Sequence, residues 1–234
     1  MNRSALWKSL ITFFVLFFST DALAQDRSKL LDEIESLKKQ LQTKEQEFLS
    51  PSAEDRAAFA EFLKQSDTGL IRLLPRDKYN KSLLISGGGA YYYFTGLTHA
   101  YGFGSDISLG QNQFKVGFAG ADFGLISRLG EIGIDQITLD HPGVQLLAEY
   151  IPPSKLPEAR EQQQRVGKGF SSGAYFYRNN VPAEADTTYI LRSVSYDRSD
   201  VLVAFRTIRK DVDGSFIIRW KILKRFPAPQ LEQP

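Results

Sequence analysis

Asp106, Asp122, Asp140 and Glu149 lie in a stretch dense in glycine and aromatic residues, and His99 and His141 fall in the same region. Two carboxylates facing each other across a cleft can hydrolyse a glycosidic bond, one as general acid and the other as base or nucleophile. Asp106, Asp122 and His99 are the candidate catalytic residues on that reading. The competing reading is structural, because Asp and Glu on loops are commonly solvated or cap a helix. Metal chemistry is not expected. The chain has no cysteine and only two histidines, and neither His sits in a His-x-x-x-His spacing. No cofactor is implied.

The segment Ser86–Phe94 (SGGGAYYYF) sets three glycines against four aromatic rings. Tyrosine joins a large apolar body to a polar tip, which suits a sugar ring or an aromatic ligand. Tyr91, Tyr93, Tyr101 and Phe103 are the candidate ligand-binding residues. On an extended strand Tyr92 and Phe94 point one way and Tyr91 and Tyr93 the other, so both faces are aromatic. Either both faces are covered, with Phe59 and Phe62 as a ready cover, or tyrosines stand exposed as a stacking surface.

Three other patterns lack the context their chemistry needs. Gly169-Phe170-Ser171-Ser172-Gly173 resembles the nucleophile elbow of the α/β-hydrolases, but a polar helix-like segment precedes it and a strand-like one follows, and both histidines precede the serine. Gly87-Gly88-Gly89 has no Gly-Lys-Ser/Thr after it and so is no phosphate-binding P-loop. Asp211-Val212-Asp213-Gly214 resembles the start of a calcium loop, but Ile222 stands where the closing Glu should be. It reads as a turn.

The N-terminus carries Arg3 and Lys8, the apolar run Leu10–Phe18, and Ala22-Leu23-Ala24. This is the layout of a signal peptide cleaved after Ala24, and the apolar run is short for a bilayer span. Export to a bacterial periplasm or secretion is expected, with no transmembrane span after cleavage. A chain without cysteine suits the periplasm better than a disulfide-rich secretory route. Without residues 1–24, 27 basic residues face 26 acidic ones. That balance offers no whole-molecule reason to bind nucleic acid.

These residues must be positioned by the elements that follow. Residues 26–66 read as a helical, coiled-coil-like segment. Leu30, Ile34, Leu37 and Leu41 form an apolar stripe with coiled-coil spacing, which predicts self-association through residues 27–48. Ser50-Pro51 opens a second helix, with Ser50 as its cap. From residue 69 to 226 the pattern is that of a β-rich domain, and residues 227–234 read as a flexible tail. Strands are expected near 69–74, 82–86, 90–98, 113–119, 136–139, 173–178, 187–196, 200–209 and 215–224. The last two read as a hairpin around Lys210–Gly214, with Phe216, Ile218, Trp220 and Ile222 facing the core. Pro157–Val166 reads as a surface helix. His141-Pro142-Gly143 reads as a turn.

Nine basic residues face four acids between Tyr189 and Phe226. They form either a docking patch for an anionic partner or the solvated face of a sheet. Together these features predict an α+β chain: an N-terminal helical segment, then an antiparallel sandwich or partly closed barrel. The function they favour is an exported, non-catalytic binding or envelope-associated module, with a glycan, envelope component or anionic molecule as partner. The alternative is a hydrolase of an envelope polymer or glycan.

Overall fold

The computed structural model describes residues 27–99, 101, 102 and 104–232. The expected signal peptide at 1–24 and the candidate Phe103 lie outside the described residues. The chain divides into two units, Met1–Glu47 and Phe48–Pro234. The first described element is helix α1 over residues 27–49. Within the first unit Leu30, Leu31, Ile34, Leu37 and Leu41 all stand exposed.

The second unit is α+β and antiparallel, as the alternation predicts. A five-stranded sheet runs in the order β1 (Thr68–Leu73), β11 (Phe216–Phe226), β10 (Ser199–Lys210), β9 (Thr188–Ser195), β5 (Phe123–Gly130). A four-stranded sheet contains β2 (Tyr91–Tyr92), β3 (Ile107–Gly110), β4 (Gln113–Lys115) and β8 (Asn180–Pro182). The sheets pack as a sandwich, and neither closes into a barrel among the described residues. Between them lies one core. The large sheet contributes Leu73, Leu191, Val203, Phe205, Phe216, Ile218 and Trp220, and the small sheet contributes Tyr92, Ile107, Leu109, Phe114 and Val181. Phe216, Ile218, Trp220 and Ile222 thus face inward as their alternation requires.

A second core covers the other face of the large sheet. Leu125, Ile190, Val194, Leu202 and Ala204 meet helices α5 (Pro142–Glu149) and α6 (Leu156–Lys168) and the apolar side of α3 (Ala60–Leu63). Of the C-terminal basic residues, Arg219 and Lys221 are therefore partly buried, whereas Lys224 and Arg225 stand exposed. Arg219 lies over the rings of Phe59 and Phe62, at 5.4 and 5.3 Å, and burial lowers its pKa. The same contacts remove Phe59 and Phe62 as cover for the tyrosine stretch.

Several local expectations are corrected. Residues 82–86 form turns and bends, and 136–139 run from the end of a 3-10 turn at Ile134–Gln136 into a further turn. Of the strand expected over 90–98, only Tyr91–Tyr92 is a ladder strand, because Gly96 and the left-handed Leu97 turn the chain. His141 is no turn residue but the N-cap of α5. Its Nδ1 accepts from the Gly143 amide at 3.1 Å, and Pro142 opens the helix. The cap of α2 (Ala53–Ala58) is Ser52, not Ser50, in a reciprocal capping box with Asp55. Asp55 also pairs with Arg209 across the unit. The turn at Asp211–Gly214 closes with Gly214 N donating to Asp211 O at 2.9 Å. The short strands β6 (Phe170–Ser172) and β7 (Tyr175–Tyr177) form a separate hairpin.

Candidate functional site

Gly87, Gly88 and Gly89 all have positive φ, so the chain coils tightly before β2. A Cβ on Gly88 would stand 2.5 Å from the carbonyl carbon and oxygen of Tyr79. The glycines let two backbones close on one another, and the loop bonds within itself: Gly88 N donates to Ile85 O, and Ala90 N to Gly87 O. Gly88→Ala is expected to lower stability by roughly 1–2 kcal/mol from the left-handed backbone alone, with the clash adding to it. Urea unfolding measures this, and an unchanged midpoint would show that the loop yields freely.

The structure covers both faces of the tyrosine stretch. Tyr92 and Phe94 enter the inter-sheet core against Trp220, with centroids at 6.2 and 5.2 Å. Tyr91 turns outward, yet it is only 3% exposed. Its ring is held by Tyr101 at 4.7 Å and Phe118 at 5.3 Å. Tyr91 and Tyr101 are therefore brought together, with Tyr101 exposed. Tyr93 is half-buried and packs near Gly96 and Gly104.

A pocket of about 540 Å³ opens beside Tyr91, on the face of the small sheet turned away from the core. Strand pairing places Tyr91 opposite Ser108, and Ser108 opposite Lys115. Three strands thus present one row, because alternate residues Ile107 and Leu109 point inward. Helix α4 (Arg76–Tyr79) and the residues after it form the opposite wall, with Arg76, Asp77, Lys78, Asn80 and Lys81. Gly110 lies beside Arg76, where an added Cβ would make an ordinary 3.9 Å contact with the Arg76 Cβ. Gln111 and Phe118 complete the rim. Gln111 and Asn112 both occupy the left-handed region, as a two-residue hairpin turn requires.

The pocket is cationic. Arg76, Lys78, Lys81 and Lys115 line it, and Asp77 is the one carboxylate among its lining residues. The Arg76 guanidinium lies 5.6 Å from the Tyr91 centroid. Burial raises the Tyr91 phenol pKa, against the pull of Arg76. The Lys78 ammonium reaches the Asp213 carbonyl at 3.3 Å. Such a wall can hold carboxylate or phosphate oxygens, with the Phe118 edge and the rim of Tyr91 as an apolar floor.

Each of the three candidate catalytic residues bonds a backbone group. Asp106 is fully buried; its Oδ2 accepts from the Phe94 amide at 2.8 Å, and its Oδ1 has no partner. Burial pushes its carboxyl up to about 7, while the Ser193 hydroxyl and the Phe94 amide pull the other way. Asp122 accepts from Ser195 Oγ at 3.1 Å and from the Tyr196 amide at 3.0 Å. Burial raises it too, opposed by those bonds. His99 Nε2 lies 2.9 Å from the Arg72 carbonyl, so that nitrogen carries the proton. Burial pulls its pKa down to about 4, which keeps the ring neutral. None of the three lines the cationic pocket. Ser171 lies exposed in the β6–β7 hairpin, without the strand-to-helix turn of a nucleophile elbow. Among the described residues no three His, Asp or Glu side chains gather as a metal-binding group.

Arg76, Lys81, Lys115 and Phe118 are absent from the sequence-derived candidates. One signal was available: Arg76-Asp-Lys-Tyr-Asn-Lys81 holds three cations in six residues directly after a strand. The contribution of Lys115 depends on the β3–β4 register. Compared with protein-family models, with curated proteins and with solved structures, the chain finds no match.

Proposed function

We propose that the protein is an exported, non-catalytic module that binds a small anionic ligand in the cationic pocket, with acidic saccharides as the ligand class. The observation that carries this reading is the lining: four cations and one carboxylate around a volume of about 540 Å³. That volume falls within the usual range of ligand sites, roughly 300–1,000 Å³. Lys81 and Lys115 come from different walls, so one bridging anion can satisfy both. Sugar rings suit the flanking aromatic edges. Glycosidic hydrolysis asks for two opposed carboxylates, and Asp77 alone lines this pocket. Asp106 and Asp122 are committed to backbone amides.

Isothermal titration with a uronate-containing oligosaccharide, against a neutral oligosaccharide of equal length, tests the proposal. The acidic ligand is expected to bind and the neutral one to bind at least about tenfold more weakly, a difference of roughly 1.4 kcal/mol. Lys81→Ala combined with Lys115→Ala is expected to remove the preference, and added salt to weaken binding to the unaltered protein. Equal affinity for both ligands would overturn it, as would binding indifferent to the double substitution. Release of reducing ends during the titration would favour the hydrolase instead.

A further inference from the structure

We infer that helix α1 pairs with α1 of a second copy, as a parallel, in-register, two-stranded coiled coil centred on Leu30, Ile34, Leu37 and Leu41. All four side chains are exposed, at 52, 45, 56 and 44%. In heptad terms the spacing places Ile34 and Leu41 at position a, with Leu30 and Leu37 at d. A β-branched residue at a with Leu at d favours two strands over three or four.

The flanking charges set the direction. Positions g are Glu33, Gln40 and Glu47, and positions e are Leu31, Lys38 and Glu45. A parallel pair sets g of one chain against the following e of the other, which brings Glu33 to Lys38 of the second copy twice, once on each side. An antiparallel pair sets g against g, and no cation occurs there. The seam ends before Phe48, whose ring is already engaged by Tyr79 at 5.5 Å and by the Arg72 guanidinium at 4.9 Å. A second copy also fits better than an anionic membrane surface. Residues 27–47 hold five basic and five acidic residues, whereas helices that lie on such a surface carry a cationic polar face. Four apolar layers make a weak dimer, and the pairing is concentration-dependent.

The absence of cysteine from the chain permits a clean test. The protein is expressed from all 234 residues and carries Leu30→Cys as its single thiol. In a glutathione buffer it is expected to form a disulfide-linked dimer at least about tenfold in excess of the same protein carrying Ile34→Asp as well. Ile34 is exposed, so circular dichroism should report an unchanged fold for that variant. Mixing the Leu30→Cys and Leu41→Cys proteins distinguishes direction: preferential 30-to-41 linkage means antiparallel helices and overturns the inference. Sedimentation equilibrium of the unaltered chain should show monomer and dimer in exchange. A monomer at every concentration, a mass of three chains, or association unaffected by Ile34→Asp would each overturn it.

Discussion

Arg192→Ala is expected to lower the stability of the second unit by about 3–5 kcal/mol, the usual cost of stranding one partner of a buried ion pair. Arg192 is 1% exposed on β9, a strand buried along its whole length. Its guanidinium meets Asp200 through two bonds, Nε to Oδ1 at 2.8 Å and Nη2 to Oδ2 at 2.7 Å. Nη1 donates to the carbonyls of Leu147 and Tyr150, both at 2.6 Å, at the end of α5. The plane also lies 3.6 Å from the centroid of Phe226. Removing the side chain leaves a carboxylate and two carbonyls in the core without donors. Domains are typically stable by about 5–15 kcal/mol, so this variant should unfold at far lower urea. The pair is nonetheless a weak net contributor: burial pushes the Asp200 carboxyl up, and Arg192 only partly offsets it. Arg192→Met with Asp200→Leu should therefore cost less than the sum of the single changes, with a coupling energy of about 2 kcal/mol or more. Additive losses across the urea-unfolding cycle would show that the two groups act independently.

Arg192 also shows where the sequence is silent. It counts among the basic residues of the C-terminal segment, and nothing in Leu-Arg-Ser-Val-Ser marks it as buried. Only the β9–β10 pairing, with Arg192 opposite Leu202 and Asp200 two residues along the same face, brings its carboxylate within reach. The neighbouring hairpin is legible because the two faces of β11 differ in chemistry: Phe216, Ile218, Trp220 and Ile222 alternate with residues that include Arg219 and Lys221. β5 lacks that contrast, because both its faces are buried and Gly124 interrupts the apolar set. In α5 the apolar run is short, and its start depends on a histidine acting as a cap. The pocket is hidden for a similar reason. Tyr91, Ser108 and Lys115 are scattered in the chain and become one row only through strand register.

Asp106→Asn is expected to stabilise the protein by roughly 4 kcal/mol at pH 8 and to change little at pH 4, each pKa unit of difference between states being worth about 1.4 kcal/mol. The carboxyl is raised from its ordinary 3.8 to about 7 by burial. Below about pH 4 the folded and unfolded chains both hold the proton, and the group contributes nothing. Between about 4 and 7 the folded chain keeps the proton that the unfolded chain releases, so stability falls as pH rises. Above 7 both are ionised and the full penalty of a buried carboxylate remains. Asn keeps an oxygen for the Phe94 amide, which the carboxylate accepts at 2.8 Å. Its amide nitrogen replaces the Oδ1 that has no partner and carries no charge to desolvate. The measurement is urea unfolding of both proteins from pH 4 to pH 8. The unaltered chain should lose stability relative to the variant across that window. Parallel stability curves would show that Asp106 is ionised in the folded protein at pH values well below 7, and that its unpaired oxygen is reached by water.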